Sequence, residues 1–281
     1  MAPQQKQRQF RVALVQMAIC SNKEKNLVRA AQKVKEAKQA GAYLVILPEC
    51  FNAPYSTSTF DEYAEEIPSG PSSRAMSEMA KQNQVYLVGG SIPERSSNRL
   101  YNSCSVWDPK GNLVTVFRKV HLFNMDIPGI CTFSESEAFT PGSELAVFDI
   151  GGCRVGLGIC YDMRFPEWAA LNRDQGVDFL IYPGAFDTYT GPIHWDLHLR
   201  SRALDNQMFV AGVCGARDTS ASYVSYGHSL LVDPWGRIMV EADEKETILY
   251  QDIDMKHCDE VRKQIPLNKQ RRVDLYDSKK Q

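Results

Sequence analysis

Residues 153–184 read CRVGLGICYDMRFPEWAALNRDQGVDFLIYPG and decide the class of fold. A short apolar run ends at Cys160, a segment with the composition of a helix follows, and a second apolar run ends at Pro183. Apolar runs of this length between turn residues are typical of buried strands, and a helix between two such strands makes a βαβ unit. The stretch therefore predicts an α/β fold whose first strand here ends on a thiol.

The same order of elements occurs near the start of the chain. The run FRVALVQM, residues 10–17, predicts a strand, and residues 21–41 predict a helix with polar capping residues at its start. The run AYLVILPE, residues 42–49, predicts a second buried strand. These three elements form another βαβ unit, so the start of the chain repeats the pattern of residues 153–184.

Two further segments match each other and indicate hairpins. VWDPKGNLV, residues 106–114, and LVDPWGRIM, residues 231–239, each place an Asp-Pro-x-Gly turn between two β-forming runs. We therefore predict an internal pseudo-two-fold repeat of βαβ units and hairpins. We expect a single domain over residues 10–276, with polar tails at residues 1–9 and 277–281.

Composition and charge make several classes of partner unexpected. The 281 residues carry 32 lysines and arginines against 34 aspartates and glutamates, a formal net charge of −2. Proteins that bind nucleic acid or anionic membranes usually carry an excess of positive charge. This sequence has no such excess, so we expect neither partner. A run of about twenty apolar residues is missing, and the polar start MAPQQKQRQF differs from a secretory signal. We expect a cytoplasmic protein, with mitochondrial residence as the alternative.

Three polar residues stand at the ends of apolar runs, where they are costly unless paired or functional. They are Glu49 after LVILP, Lys119 after LVTVFR and Cys160 after VGLGI. A thiol that attacks an amide must lose its proton. The oxyanion that forms needs a positive charge nearby, and the leaving nitrogen needs a proton. Glu49 and Lys119 can supply these, so the set predicts covalent hydrolysis. The structural alternatives are a core cysteine and an ordinary Glu49–Lys119 ion pair.

A metal site and a cysteine–histidine dyad are two alternatives to the set of Glu49, Lys119 and Cys160. His194 and His198 in HWDLH stand four residues apart and can share a helix face as metal ligands. The segment is not HExxH and lacks an evident third ligand, so we expect no metal. A cysteine–histidine dyad of the thiol-protease kind is also possible, with His121, His194 or His228 as the partner. The chain has neither a P-loop nor a dinucleotide fingerprint, so we expect no such cofactor.

The motifs around the three polar residues resemble those of a known family. LPECF around Glu49, FRKVHLF around Lys119 and GICYDMRFPEW around Cys160 are similar to the signature motifs of the nitrilase superfamily of carbon-nitrogen hydrolases. The resemblance runs from about residue 11 to residue 276 and includes TGPIHW, RALDNQ and YGHSLLVDPWG. It implies a four-layer αββα sandwich, usually paired as a homodimer, and hydrolysis without a metal or organic cofactor.

The resemblance also implies a role for each motif residue. Glu49 resembles the general base, Lys119 the lysine that stabilises the intermediate, and Cys160 the nucleophile. Glu135, in CTFSES, stands where family members carry a second glutamate that orients the site. The backbone N–H of Tyr161 is implied as part of the oxyanion hole.

Within the superfamily the chain most resembles the omega-amidase branch. That branch implies a small amide substrate with a carboxylate, such as 2-oxoglutaramate or 2-oxosuccinamate, and water as the second substrate. Arg164 is then the implied anchor of the carboxylate, because a guanidinium binds a carboxylate through two parallel hydrogen bonds. Phe186 and Thr190 are implied to line the same end of the pocket. The structural alternative pairs Arg164 with Asp162 or Glu167.

Two other functions are alternatives to an omega-amidase, and the sequence differs from the family pattern at two places. A sister branch of the superfamily acts on deaminated glutathione, and a catalytically idle binding protein is a hypothesis from another class. The intact set of Glu49, Lys119, Glu135 and Cys160 argues against the idle protein. Asp187 stands where asparagine is expected, and Cys214-Gly215 stands where Ser-Pro is expected.

Overall fold

The computed structural model describes residues 8–276, which form fifteen strands and eight α-helices. The strands are β1 (Gln9–Gln16), β2 (Leu44–Ile46), β3 (Tyr86–Val88), β4 (Ile92–Ser96), β5 (Arg99–Trp107), β6 (Leu113–Arg118), β7 (Asn124–Ile127), β8 (Cys131–Ser134), β9 (Val147–Ile150), β10 (Cys153–Leu157), β11 (Phe179–Gly184), β12 (Phe209–Cys214), β13 (Leu230–Val232), β14 (Ile238–Glu241) and β15 (Thr247–Asp254). The helices are α1 (Lys23–Gln39), α2 (Phe60–Tyr63), α3 (Pro71–Asn83), α4 (Pro166–Asp174), α5 (Gly191–Asn206), α6 (Lys256–Gln264), α7 (Leu267–Gln270) and α8 (Val273–Tyr276). In this part of the chain no helix is long and apolar enough to cross a membrane.

The strands form two large sheets and one small one. The first sheet has seven strands in the order β15-β1-β2-β3-β5-β4, with β6 also paired to β5. The second sheet has six strands in the order β14-β13-β12-β11-β10-β9. Strands β7 and β8 form a separate antiparallel hairpin.

Each large sheet contains the same run of five strands. In the first sheet β1, β2 and β3 are parallel, and β5 and β6 continue the run antiparallel. In the second sheet β10, β11 and β12 are parallel, and β13 and β14 continue it antiparallel. Helices connect the parallel strands in both runs: α1 and α3 in the first, and α4 and α5 in the second. The predicted pseudo-two-fold repeat is confirmed.

The two predicted hairpins are built in the same way. In the β5–β6 turn the Asp108 carboxylate accepts hydrogen bonds from the backbone N–H groups two and four residues later, at 2.8 and 2.9 Å. Asp233 accepts the equivalent pair in the β13–β14 turn, also at 2.8 and 2.9 Å. An aspartate at this position closes the turn with its own side chain, and this is why the Asp-Pro-x-Gly pattern predicts the hairpin correctly.

Alternate residues of β1 face two different cores. Val12 and Leu14 belong to the core between the sheets, together with Val155 of β10. Ala13 belongs to a second core that contains Val34 of α1. Because side chains alternate across a strand, the first sheet lies between the second sheet and the helices α1 and α3. Helices α4 and α5 cover the second sheet, so the predicted four-layer αββα sandwich is confirmed.

Gly156 in β10 and Gly158 directly after it allow α4 and the neighbouring strand β11 to pack closely on this segment. A Cβ atom on Gly156 would lie 2.1 Å from Oδ1 of Asn172. A Cβ atom on Gly158 would lie 2.4 Å from the ring of Tyr182 and 3.0 Å from Nε1 of Trp168. Such approaches leave no space for a side chain, so the G-x-G spacing places helix and strand in direct contact. The turn that connects them, a 3₁₀ helix over Cys160–Arg164, is fixed as a result.

The predicted N-terminal tail is shorter than expected. Gln9 is the first residue of β1, and Arg8 forms an ion pair with Asp259 at 2.6 Å. The rest of the predicted polar tails, residues 1–7 and 277–281, lies outside the described residues.

Replacing Gly158 by alanine tests the close contact between α4 and β10. We expect Gly158→Ala to lower the free energy of unfolding by about 1–3 kcal/mol, because the added methyl group overpacks a site bounded by two aromatic rings. Urea denaturation measures this change. Gly215→Ala is the matched control, because the nearest atom to its methyl group would be the end of the flexible Ile19 side chain, at 3.1 Å. Equal unfolding midpoints for the two variants would contradict the packing argument.

Candidate active site

The fold brings together four polar residues that are far apart in sequence. Glu49 lies just beyond β2, Lys119 directly after β6, and Cys160 just beyond β10. Glu135 begins the short 3₁₀ helix Glu135–Glu137. Lys119 and Glu135 are 0% exposed, Glu49 is 1% exposed and Cys160 is 4% exposed. The strand ends therefore deliver charged groups and a thiol to a site almost closed to water.

A buried ammonium group lies between two carboxylates. The Nζ atom of Lys119 is 2.9 Å from Oε1 of Glu49 and 2.8 Å from Oε2 of Glu135. The amide nitrogen of Asn102 donates to both carboxylates, at 2.8 Å to Glu49 and 2.9 Å to Glu135. The backbone N–H of Phe123 also donates to Glu135, at 2.6 Å. The positions of the three charges are therefore fixed by hydrogen bonds as well as by attraction.

The charge on Lys119 is retained despite complete burial. Burial alone would lower the pKa of Lys119, but the negative charges of Glu135 and Glu49 raise it well above its ordinary value. An ammonium that stays protonated is a permanent positive charge next to the reacting atoms, where the low local polarity makes it effective.

The two oxygens of Glu49 have different surroundings. Oε1 accepts hydrogen bonds from Lys119, Asn102 and the Tyr55 hydroxyl, the last at 3.4 Å. Oε2 is buried and without a hydrogen-bond partner in the described part of the chain. Burial raises the pKa of Glu49, and Lys119 acts in the opposite direction. One oxygen thus holds the carboxylate in place while the other is available to take up and return a proton.

Cys160 occupies a strained position at the start of its 3₁₀ helix. Its φ angle is +42°, in the left-handed region that residues with a Cβ atom seldom adopt. Burial raises the pKa of the Cys160 thiol well above its ordinary value, Glu49 adds to the rise and Lys119 opposes it. The thiol is therefore neutral at rest, and it needs a neighbouring base to become a nucleophile.

Arg164 ends the same 3₁₀ helix and has no ion pair within residues 8–276. Its NH1 atom lies 3.1 Å from Nδ1 of His194 and 3.4 Å from Nε2 of His198. Its NH2 atom donates to the Thr190 hydroxyl at 3.1 Å, and its guanidinium lies 4.7 Å from the centre of the Phe186 ring. The Nε atom is buried and unpaired among the described residues. The structure therefore brings the predicted anchor together with Phe186 and Thr190.

Neither Asp162 nor Asp187 forms an ion pair with Arg164 in the described part of the chain. Asp162 accepts hydrogen bonds from the backbone of Ile159 and His121, at 2.8 and 2.9 Å, and faces the His121 ring. The alternative pairing of Arg164 with Asp162 is therefore wrong. Asp187 accepts from the backbone N–H of Thr190 at 2.7 Å and from its hydroxyl group, so this carboxylate faces the turn before α5.

The four histidines that the sequence offered as metal ligands or as partners of Cys160 contact other groups. His194 and His198 face the Arg164 guanidinium, a neighbour that opposes the binding of a cation. His121 bonds to Asp162, and the ring of His228 stacks on Tyr226. No histidine in residues 8–276 hydrogen-bonds to Cys160, and no three side chains of the metal-binding types converge there on one point.

Two cavities lie on either side of Tyr223. The narrower one is lined by Cys160 and Arg164 together with four aromatic and acidic residues, namely Phe123, Tyr161, Phe186 and Asp187. The larger one, of about 420 Å³, reaches Glu49 and Tyr55. Tyr223 lines both, and its hydroxyl donates to the backbone carbonyl of Ala185 at 2.5 Å. Cys160 and Arg164 thus share the narrower cavity, and Glu49 lines the larger one.

The sequence did not reveal three residues of this site. Asn102 bridges the two glutamates, Tyr55 contacts Glu49 and Lys119, and Tyr223 separates the cavities. Asn102 left a detectable signal, because it is a polar residue inside the β-forming run YNSCSVW. Tyr55 and Tyr223 lie in loops whose sequence has no regular spacing relative to the motifs.

Comparisons with known proteins agree with this geometry. The sequence model of the carbon-nitrogen hydrolase family matches residues 11–263. The chain is 53% identical to Omega-amidase NIT2 of Mus musculus over 273 residues, which cover 96% of this chain and 99% of that protein. The crystal structure of Saccharomyces cerevisiae Nit3, described as a member of branch 10 of the nitrilase superfamily, matches with a TM-score of 0.86 at 42% identity and covers 94% of this chain and 97% of that one. The family predicted from the three motifs is therefore confirmed, and the chain belongs to the carbon-nitrogen hydrolases of the nitrilase superfamily.

Proposed function

We propose that the chain is an omega-amidase, which hydrolyses the terminal amide of 2-oxoglutaramate or 2-oxosuccinamate to the oxoacid and ammonia. The observation that carries the proposal is the Cys160 thiol between a buried carboxylate–ammonium cluster and an arginine that has no ion pair. The identity of 53% to an omega-amidase over nearly the whole chain supports the same activity.

In the proposed acylation step, Cys160 attacks the amide carbon. Glu49 Oε2 takes the thiol proton as the S–C bond forms, and the electron pair of the C=O π bond moves to oxygen. Lys119 and the backbone N–H of Tyr161 stabilise the oxyanion. The intermediate then re-forms the C=O bond and expels nitrogen, which takes the proton from Glu49 and leaves as ammonia. The product is a thioester on Cys160.

Deacylation uses the same groups in the reverse sense. Glu49 takes a proton from water, and the resulting hydroxide attacks the thioester carbon. The second tetrahedral intermediate expels the Cys160 thiolate, which regains its proton from Glu49. The oxoacid leaves, and the enzyme returns to its starting state. Glu135 keeps Lys119 in place throughout, because it pairs with the ammonium at 2.8 Å from the other side.

Arg164 gives the proposed preference for a carboxylate at the far end of the substrate. Arg164 lines the pocket that holds Cys160, and its buried Nε–H has no hydrogen-bond partner among the described residues, which is costly. A substrate carboxylate would accept this hydrogen bond and pair with the charge. The neighbouring Asp187 does not block the site, because the backbone and hydroxyl of Thr190 bind its oxygens.

Deaminated glutathione is the second candidate substrate. The cavity of about 420 Å³ next to Glu49 favours it, since a large leaving amine would need space on that side of the thiol. Asp218 lines this cavity and disfavours it, because the dipeptide leaving group carries a carboxylate of its own. We therefore place the omega-amides first.

The remaining expectations are part of the same proposal. We infer that residues 10–276 work as one hydrolase domain without a metal or organic cofactor, in the cytoplasm or in mitochondria, and that nucleic acid is not a partner. We also infer a homodimer or a higher homo-oligomer. The exposed face of α5 supports it, because Ile193 and Leu197 are each 57% exposed and Leu204 is 49% exposed. Their spacing of four and seven residues forms one apolar strip, a common feature of interfaces.

Hydrolysis of 2-oxoglutaramate, deaminated glutathione and a simple nitrile, assayed side by side, tests the substrate assignment, with ammonia measured for the first and the third. We expect kcat/KM to be highest for 2-oxoglutaramate, because its carboxylate matches Arg164 and its leaving group is small. The free amine released from deaminated glutathione is measured in the same samples. A higher kcat/KM for deaminated glutathione would replace the proposal with the sister activity, and preference for the nitrile would overturn both.

Replacing the nucleophile tests the covalent mechanism. We expect Cys160→Ala to lower kcat at least about a thousandfold, because no other group in the site can form the thioester. Cys153→Ala is the matched control, since Cys153 is a buried cysteine of the same β10 strand and lies at its other end. The control should retain kcat and lose only stability. Substantial amidase activity in Cys160→Ala would exclude the mechanism.

Replacing the arginine tests the substrate anchor. We expect Arg164→Met or Arg164→Lys to lose roughly 2–5 kcal/mol of a desolvated charge pair, which is at least a tenfold fall in kcat/KM for 2-oxoglutaramate. Pentanamide, an uncharged amide of similar length, should be spared. Arg154→Met is the control, because Arg154 pairs with Asp149 on an exposed surface. Equal losses on both amides with a lowered melting temperature would show that Arg164 is structural.

A further inference from the structure

Two histidines of α5 hold the guanidinium of Arg164. His194 and His198 are one helical turn apart, with ring centres separated by 5.8 Å. Both present a ring nitrogen to the same NH1 atom of Arg164, at 3.1 and 3.4 Å. The α5 residues that the sequence suggested as metal ligands are therefore neighbours of the proposed substrate anchor.

The chemistry of the guanidinium fixes the state of both rings. Arginine has only hydrogen-bond donors, so each ring nitrogen that faces NH1 must accept and must be unprotonated. His194 then carries its proton on Nε2 and His198 carries its proton on Nδ1, and both rings are neutral. Burial lowers the pKa of His198 to about 4, and the charges of Arg164 and Arg202 act in the same direction.

Neutral acceptors hold Arg164, in contrast to two arginines of this chain that form short ion pairs. Arg118 pairs with Glu94 at 2.6 Å, and Arg262 pairs with Asp178 at 2.6 Å. The guanidinium of Arg164 instead has two imidazoles and the Thr190 hydroxyl as its hydrogen-bond partners in residues 8–276. Such partners fix the orientation of the group without neutralising its charge.

We propose that His194 and His198 are positioning residues for the amidase reaction: as uncharged acceptors they hold Arg164 in place and keep its positive charge available for the substrate carboxylate. The inference rests on the proposed function, in which Arg164 is the anchor. The proposal gives a reason for neutral acceptors instead of a carboxylate at these two positions of α5. A carboxylate on α5 would hold the guanidinium at least as firmly but would compete with the substrate for it.

The substitutions His194→Asn and His194→Asp form the decisive pair. The side-chain oxygen of either residue can accept a hydrogen bond near the position of Nδ1, and the two differ in charge alone. We expect His194→Asn to keep KM for 2-oxoglutaramate within about threefold of wild type. We expect His194→Asp to raise this KM at least about tenfold with little change in kcat, because the new carboxylate neutralises Arg164.

Further variants and a neutral substrate separate this proposal from a structural role. His198→Gln keeps an acceptor near Nε2, whereas His198→Leu removes it and should raise KM for the charged amide only. Kinetic constants for pentanamide and melting temperatures are measured for each variant.

If His194→Asp binds 2-oxoglutaramate as well as His194→Asn does, or if kcat/KM falls equally for both amides, the positioning role is wrong. If wild type fails to hydrolyse 2-oxoglutaramate, or Arg164→Met hydrolyses it normally, the proposed function itself is wrong.

Discussion

The ion cluster of Lys119, Glu49 and Glu135 is the interaction on which the rest of the site depends. All three side chains are removed from water, and an unpaired charge at such a depth costs several kcal/mol. The cluster is tolerated because the ammonium contacts both carboxylates and Asn102 connects them. Its geometry also leaves one oxygen of Glu49 without a hydrogen-bond partner among the described residues, so the contacts that offset the cost of burial leave free the oxygen that we propose as the base.

The repeated architecture explains how such distant residues meet. Each sheet presents the carboxyl ends of its parallel strands toward one edge, where ligand sites of α/β folds are usually found. Glu49 comes from the first sheet and Cys160 from the second, and the face-to-face packing of the sheets brings them together. Gly156 and Gly158 allow α4 to pack against the end of β10 and thereby help to fix the strained turn that carries Cys160.

The site is electrostatically asymmetric around the thiol. On the Glu49 side, one ammonium lies between two carboxylates, so the cluster has no excess positive charge to attract an anion. On the Arg164 side, the direct hydrogen-bond partners of the cation are neutral groups, and the Asp187 carboxylate is bound to the Thr190 hydroxyl instead of to the guanidinium. A substrate with a carboxylate at one end and an amide at the other would be oriented by this difference alone.

The sequence by itself determined the repeated βαβ units, the two Asp-Pro-x-Gly hairpins and the residue types at Glu49, Lys119 and Cys160. These features are encoded locally, in the period of apolar residues and in turn chemistry. The tertiary structure alone decided which polar atoms meet: Asn102 between the two glutamates, and histidines rather than Asp162 beside Arg164. Such contacts depend on strand register and on the distance between packed layers, which arise from many weak packing interactions at once and leave no local pattern in the chain.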